Sequence, residues 1–170
     1  MNMASQDPAL KKPAVTLEVR DQIENFLVRT AHLIDDDKLE AWPELFSADA
    51  VYEITTRENL EKNRPIGIMY CEGRGMLQDR ILAMRTANIF EKHTYCHLLG
   101  RPEITDEGGK RYAVRSNFTV HRTMYTGSME LFTVGRYDDL ISLESGEPVF
   151  IKRQVVLDPR SLDTLLVIPL

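Results

Sequence analysis

The stretch from Gly73 to Thr105, GRGMLQDRILAMRTANIFEKHTYCHLLGRPEIT, changes its periodicity partway along, and that change decides the fold. After a glycine-flanked start, Leu77, Ile81 and Met84 recur at helical spacing, which predicts a helix over 73–88. From His93 the pattern becomes that of a strand running to Thr105. Three further strand-like segments follow, so a layer of helix meets a sheet at this corner. The stretch holds two of the four histidines and one of the two cysteines. Any metal or acid–base chemistry in the chain would have to draw on it.

On the N-terminal side, residues 1–15 contain two prolines and little periodicity, and read as a mobile arm. Residues 16–170 read as one domain. Thr16 can cap a helix in which Val19, Ile23, Phe26, Leu27, Ala31 and Ile34 keep i, i+3, i+4 spacing. That helix is expected to end near Asp35-Asp36-Asp37. Asp37 and Glu40 fit a capping box for a short second helix with Leu39, Trp42, Leu45 and Phe46, which Pro43 would bend or stop early. Strands are expected at 50–56 and 66–71, with a polar loop at 57–65 between them.

On the C-terminal side the period is two. Tyr112, Val114, Ser116, Phe118 and Val120 alternate with more polar residues, predicting a half-buried strand. Asp106-Glu107-Gly108-Gly109 is expected to turn the chain into it. Strands at 128–141 and 149–157 follow, and Gly135 is a candidate bulge. The end of the sequence, LDTLLVIPL, is apolar on both faces and suits a core or a subunit contact. Helices first and a meander of strands after predict an α+β fold, with helices in the hollow of a strongly curved sheet.

Composition sets limits on function. The chain has 170 residues, 43% hydrophobic and 28% charged, with a net charge of −5. An acidic chain without a basic face is a poor partner for nucleic acid. No apolar run reaches the ~20 residues of a membrane span. The polar N-terminus lacks a signal core, so a cytoplasmic location is expected, with Cys71 and Cys96 as free thiols.

The candidate chemical groups divide as follows. His93 and His97 would share a helix face, but on a strand they stand roughly 13 Å apart, too far for one ion. Two cysteines without paired histidines do not make a Rieske centre. Cys96 and His97 would point to opposite faces of a strand, which spoils a nucleophile–base pair. Asp35, Asp36 and Asp37 could provide a general base with His97 or His121, though three carboxylates between helices more commonly cap a helix and face water. Arg74, Asp79, Arg80 and Arg85 could bind an anion, pair along their helix, or pair across a subunit contact. Trp42 reads as core.

Four stretches carry a resemblance: WPELFSADAVYEI at 42–54, GMLQDRILAMRTANIFEKHTYCHLLGRPEI at 75–104, GSMELFTVGRYDDL at 127–140 and DTLLVIPL at 163–170. In them the chain resembles the small (beta) subunits of Rieske-type aromatic-ring-hydroxylating dioxygenases, nearest to the terephthalate, salicylate and anthranilate branch. The resemblance implies a cone-like α+β fold similar to nuclear transport factor 2 and scytalone dehydratase, with N-terminal helices in the concave face of a mostly antiparallel sheet. It also implies a non-catalytic structural subunit without cofactors of its own. The [2Fe-2S] Rieske cluster and a mononuclear Fe(II) would reside in a partner large (alpha) subunit, with three copies of each chain. Exposed charge and unexplained apolarity then nominate Arg74, Asp79, Arg80, Arg85, His97, Arg101, Leu165, Leu166, Ile168 and Leu170 as subunit contacts. The alternative is a free-standing lyase or isomerase of the same fold, using His97 with one of Asp35, Asp36 or Asp37.

Overall fold

The computed structural model describes residues 14–65, 67–87, 91–160 and 168–170. Most of the expected N-terminal arm lies outside these residues, although Val15 packs against the core. Helix α1 spans Leu17–Asp35. The Thr16 hydroxyl accepts from the Val19 N–H at 3.3 Å, and the helix buries Ile23, Phe26, Leu27, Thr30, Ala31 and Ile34. This is the capped, amphipathic helix that the spacing requires.

The end of α1 departs from expectation. Asp37 has φ +57°, its N–H bonds to Ile34 O, and the Lys38 N–H bonds to Leu33 O. This is a Schellman closure, with an aspartate tolerating the left-handed position that glycine usually fills. Asp37 therefore stops α1 and does not start a second helix. A 3-10 turn at Trp42–Leu45 follows, with Pro43 in its first turn and no side-chain cap. Phe46 already belongs to strand β1, Phe46–Thr56.

The segment at 57–65, expected as loop, begins with helix α2 at Arg57–Glu61. Thr56 caps it by accepting from the Asn59 N–H at 3.2 Å, and Glu58 pairs with Lys62 one turn on. Strand β2 is short, Met69–Glu72, and helix α3 runs Arg74–Ala87 with Leu77, Ile81 and Met84 buried. The expected single strand over 93–105 is two: β3, His93–Leu99, and β4, Glu103–Gly108. Gly100-Arg101-Pro102 separates them, because proline cannot donate to a ladder. Strands β5, Arg111–Met124, β6, Met129–Ser142, and β7, Val149–Leu157, complete the chain.

The strands form one curved sheet in the order β2-β1-β7-β6-β5-β3, with β4 also paired to β5. Every pairing is antiparallel except β1 with β7. Gly135 is not a bulge. A Cβ there would stand 2.3 Å from Val156 O, so glycine lets β7 approach closely. The register shift in the β5–β6 ladder falls between Val120 and His121, opposite Phe132.

Side chains fill the inner face of the sheet. Trp42, Phe46 and Tyr52 meet edge to face with centroids 4.9–6.0 Å apart, and Phe150 joins Phe46 and Phe26 at 5.0 and 4.6 Å. Phe118 stacks on Tyr137 at 4.2 Å. Leu170 is fully buried. Its carbonyl accepts from the Tyr52 hydroxyl, and its N–H donates to the same oxygen, each at 3.1 Å.

Candidate functional site

Asp35, the last residue of α1, reaches edge strand β3. Its Oδ1 stands 2.6 Å from His97 Nδ1, and its Oδ2 accepts the His97 backbone N–H at 2.9 Å. A carboxylate can only accept, so Nδ1 carries a proton and donates to Asp35. The His97 side chain has no exposed surface, and among the described residues Nε2 has no hydrogen-bond partner. The pair ties helix to sheet and caps an amide that faces away from β5 on an edge strand.

The three consecutive carboxylates diverge. Asp35 turns inward to His97. Asp36 bonds Lys38 at 2.9 Å, and that hydrogen bond holds its carboxyl below the ordinary range. Asp37 and Glu40 both hold Arg85, and the Arg85 hydrogen bond lowers the Glu40 carboxyl. The expectation that this trio caps a helix and faces water is thus wrong for Asp35. The Asp35–His97 pairing of the alternative reading does form.

A cavity of about 470 Å³ opens beside the pair, lined among others by Ile34, Asp35, Asp37, Arg85, His93, Tyr95 and Ile168. His97 does not line it. A general base must reach the proton that it takes, and the free nitrogen of His97 faces packed protein. The Tyr95 ring lies between the two histidines, 5.0 Å from His93 and 6.2 Å from His97. Burial pushes its hydroxyl up to about 12.

Metal donors do not converge. Among the described residues no group of three or more His, Cys, Asp or Glu could hold an ion. Cys71 is buried on β2 and Cys96 is exposed on β3, at opposite edges of the sheet, and both are free. Burial raises the Cys71 thiol. Among the described residues no donor set fits an iron–sulfur cluster or a mononuclear iron. No helix among the described residues is long and apolar enough to cross a membrane.

The nominated contact residues are largely engaged within the chain. Arg74 donates to Phe46 O at 2.9 Å and pairs with Glu44 at 3.0 Å; Gln78 donates to the same carboxylate. Arg85 holds Asp37 and Glu40 as above. His97, Ile168 and Leu170 are buried, Arg80 is half-buried, Asp79 is exposed, and Arg101 is exposed 3.8 Å from Glu24. Leu165 and Leu166 lie outside the described residues.

Sequence reasoning missed a buried ion pair. Asp139 on β6 and Arg153 on β7 are register partners, with Arg153 Nε 3.3 Å from Asp139 Oδ1 and both side chains almost wholly enclosed. The guanidinium lies 3.8 Å from the Tyr137 ring centroid and 4.6 Å from that of Phe150. Burial outweighs the neighbouring guanidinium and pushes the Asp139 carboxyl up to about 7. Parity was the available signal: Asp139 shares its face with Tyr137 and Ile141.

Comparison with known proteins places this geometry. Residues 29–164 match the family described as ring hydroxylating beta subunit. The chain is 37% identical over 149 residues to a terephthalate 1,2-dioxygenase terminal oxygenase subunit beta from Comamonas sp, covering 88% of this chain and 97% of that one. It is 30% identical over 158 residues to the anthranilate 1,2-dioxygenase small subunit of Burkholderia cepacia, covering 92% and 98%. A solved beta subunit assigned to the aromatic-ring-hydroxylating dioxygenases, from Novosphingobium aromaticivorans, superposes with a TM-score of 0.81 at 32% identity, over 89% of this chain and 95% of that one. The fold is shared more widely. A protein assigned as a scytalone dehydratase from the same organism superposes at 0.64 with 17% identity, over 84% and 86%. Family match, near full-length relatives and a common fold agree: this chain belongs to the beta subunits of the ring-hydroxylating dioxygenases.

Proposed function

We propose that the chain is the structural beta subunit of a cytoplasmic oxygenase that hydroxylates a carboxylated aromatic compound, and that it holds three large subunits in register in an assembly of three and three. Residues 16–170 would act as one cone-like body and the first fifteen as an arm. The observation that carries this reading is the burial of the Asp35–His97 pair away from the cavity beside it. In a fold that can enclose a reactive pocket, aromatic rings and Leu170 occupy much of the hollow, and the Asp35–His97 pair turns its second ring nitrogen into packing and not toward the cavity. The aromatic acid is suggested by the relatives, whose names give terephthalate and anthranilate. The Rieske cluster and the iron belong, in this reading, to the large subunit, which receives electrons from NADH through a reductase.

Expressing the chain alone and with its large subunit tests this. The lone protein is expected to be colourless and inert. The co-purified pair is expected to be red-brown and to consume oxygen with an aromatic acid from a panel. Turnover by the lone chain, or iron bound to it stoichiometrically, would refute the proposal. One observation favours a second reading, a lyase or isomerase: the 2.6 Å Asp35–His97 contact. It requires His97→Gln to abolish turnover by the isolated chain.

A further inference from the structure

In a chain of net charge −5, one place on the outer face of the sheet gathers guanidinium groups. Strand parity sends Arg115, Asn117 and Thr119 of β5 outward, and the β5–β6 register sets Arg115 against Asp138 and Asn117 against Arg136. From the other side, the β1–β7 pairing ends with Thr56 opposite Leu157, which brings Arg57, the first residue of α2, beside Asp158. A recess of about 250 Å³ lies among them, and Arg57, Arg115, Arg136 and Asp158 are its charged lining residues. The carboxylates at hand do not use up the donors. Arg57 bonds Asp158 at 2.6 Å through one Nη, Arg136 bonds Asp138 at 2.9 Å through Nε, and Arg115 Nε stands 3.9 Å from the same Asp138. Three guanidiniums against two carboxylates leave one positive charge, and each guanidinium has five N–H donors. The Arg136 side chain is only 20% exposed, which limits the screening that weakens charges standing free in water.

We infer that this recess binds a tetrahedral oxyanion, phosphate or sulfate, either free or at the end of a small ester. A carboxylate presents two oxygens in one plane and is satisfied by a single guanidinium fork. Here the donors come from different elements: Arg57 from α2, Arg136 from β6, and Arg115 from β5, where the Asn117 amide and the Thr119 hydroxyl add two more. Donors converging in this way call for more acceptor oxygens than a carboxylate has, and for oxygens out of one plane. Chloride offers charge without directed acceptors. A nucleic acid is a poor source of the phosphate, because one residual positive charge cannot hold a run of them. The inference concerns this chain alone and does not depend on the subunit role proposed above.

The test titrates the full chain with inorganic phosphate, sulfate, phenyl phosphate, benzoate and chloride at constant ionic strength, followed by nitrogen–proton NMR. Phosphate and sulfate should give saturable shifts centred on the Asn117 side-chain amide and the backbone of 117–119 and 134–136, while benzoate and chloride should not saturate. Arg136→Gln and Arg57→Gln should each weaken phosphate binding about tenfold, the loss of one charge-assisted contact. Arg111→Gln removes the same charge from outside the recess, where Arg111 pairs with Glu144, and should leave binding unchanged. Circular dichroism and melting report the folding of each variant, and the comparison of anions on the wild type needs no variant. Phenyl phosphate binding more tightly than inorganic phosphate supports an ester, and weaker binding supports the free ion. Shifts that chloride reproduces, benzoate binding as tightly as phosphate, or equal weakening by Arg111→Gln would each overturn the inference.

Discussion

Replacing Arg153 with methionine leaves Asp139 enclosed without its partner, and replacing Asp139 with leucine strands the guanidinium between Tyr137 and Phe150. Neither side chain has meaningful access to water, so each single change should cost about 3–5 kcal/mol. Changing both restores an apolar contact of similar volume, and the double variant is expected within about 1 kcal/mol of wild type or above it. Protonation adds a signature. The folded carboxyl of Asp139 titrates near 7, above its ordinary value of 3.8. The folded state therefore holds this proton more tightly than the unfolded chain. The resulting stability is complete below the ordinary value and is lost as pH rises through the folded one, with a slope of at most about 1.4 kcal/mol per pH unit. Urea unfolding followed by the fluorescence of the single tryptophan, Trp42, measures all of this. Wild type should weaken between about pH 5 and about pH 7, Arg153→Met should go on weakening above about pH 7, and the double variant should lose this component. A double variant as unstable as the singles, or a pH slope identical in all four proteins, would refute the reasoning.

Other expectations concern the braces of the fold. His97→Gln removes the imidazole contact to Asp35, though not the backbone one, and should lower stability by about 1–3 kcal/mol, with faster hydrogen exchange in β3; unchanged exchange there would contradict the bracing role. Gly135→Ala forces a methyl to within 2.3 Å of the Val156 carbonyl and should cost about 1–3 kcal/mol or more, read as a lower melting temperature. Tyr52→Phe deletes the hydroxyl that both donates to and accepts from Leu170; a loss of about 1–2 kcal/mol in urea is expected, and no loss would count against it.

Much of the architecture could be read from residue spacing. The caps at Thr16 and the stripe of α3 are local signals, and the alternation through β5 to β7 is long enough to be unambiguous. Asp37 misled because D-x-x-E satisfies a capping box on paper, while the competing Schellman closure depends on how α1 packs. Thr56 caps a short helix, RENLE, whose four polar residues around Leu60 concealed it. The site was harder to foresee. Asp35 and His97 lie 62 residues apart in the chain, and only the meeting of α1 with β3 joins them. Asp139 and Arg153 were hidden by charge: a period-two reading puts them inside, but charged residues are normally assigned to water. Arg74 and Arg85 of α3 read as candidate contact residues because their partners, Glu44 and Glu40, sit in a segment whose spacing suggests a helix.

The lone parallel pairing bears on how the molecule is made. Strand β1 sits beside β7, whose residues are synthesised about a hundred positions later, and β7 alone joins β1 and β2 to the remaining strands. Until the ribosome releases that last strand, the nascent chain holds two sheet fragments with apolar flanks and no shared seam. Non-local closure of this kind is slow and leaves unpaired edges open to wrong partners. Arrival of the final strand therefore acts as the ratchet for the fold, and shortening the chain ahead of residue 149 should yield aggregate, not a smaller folded protein.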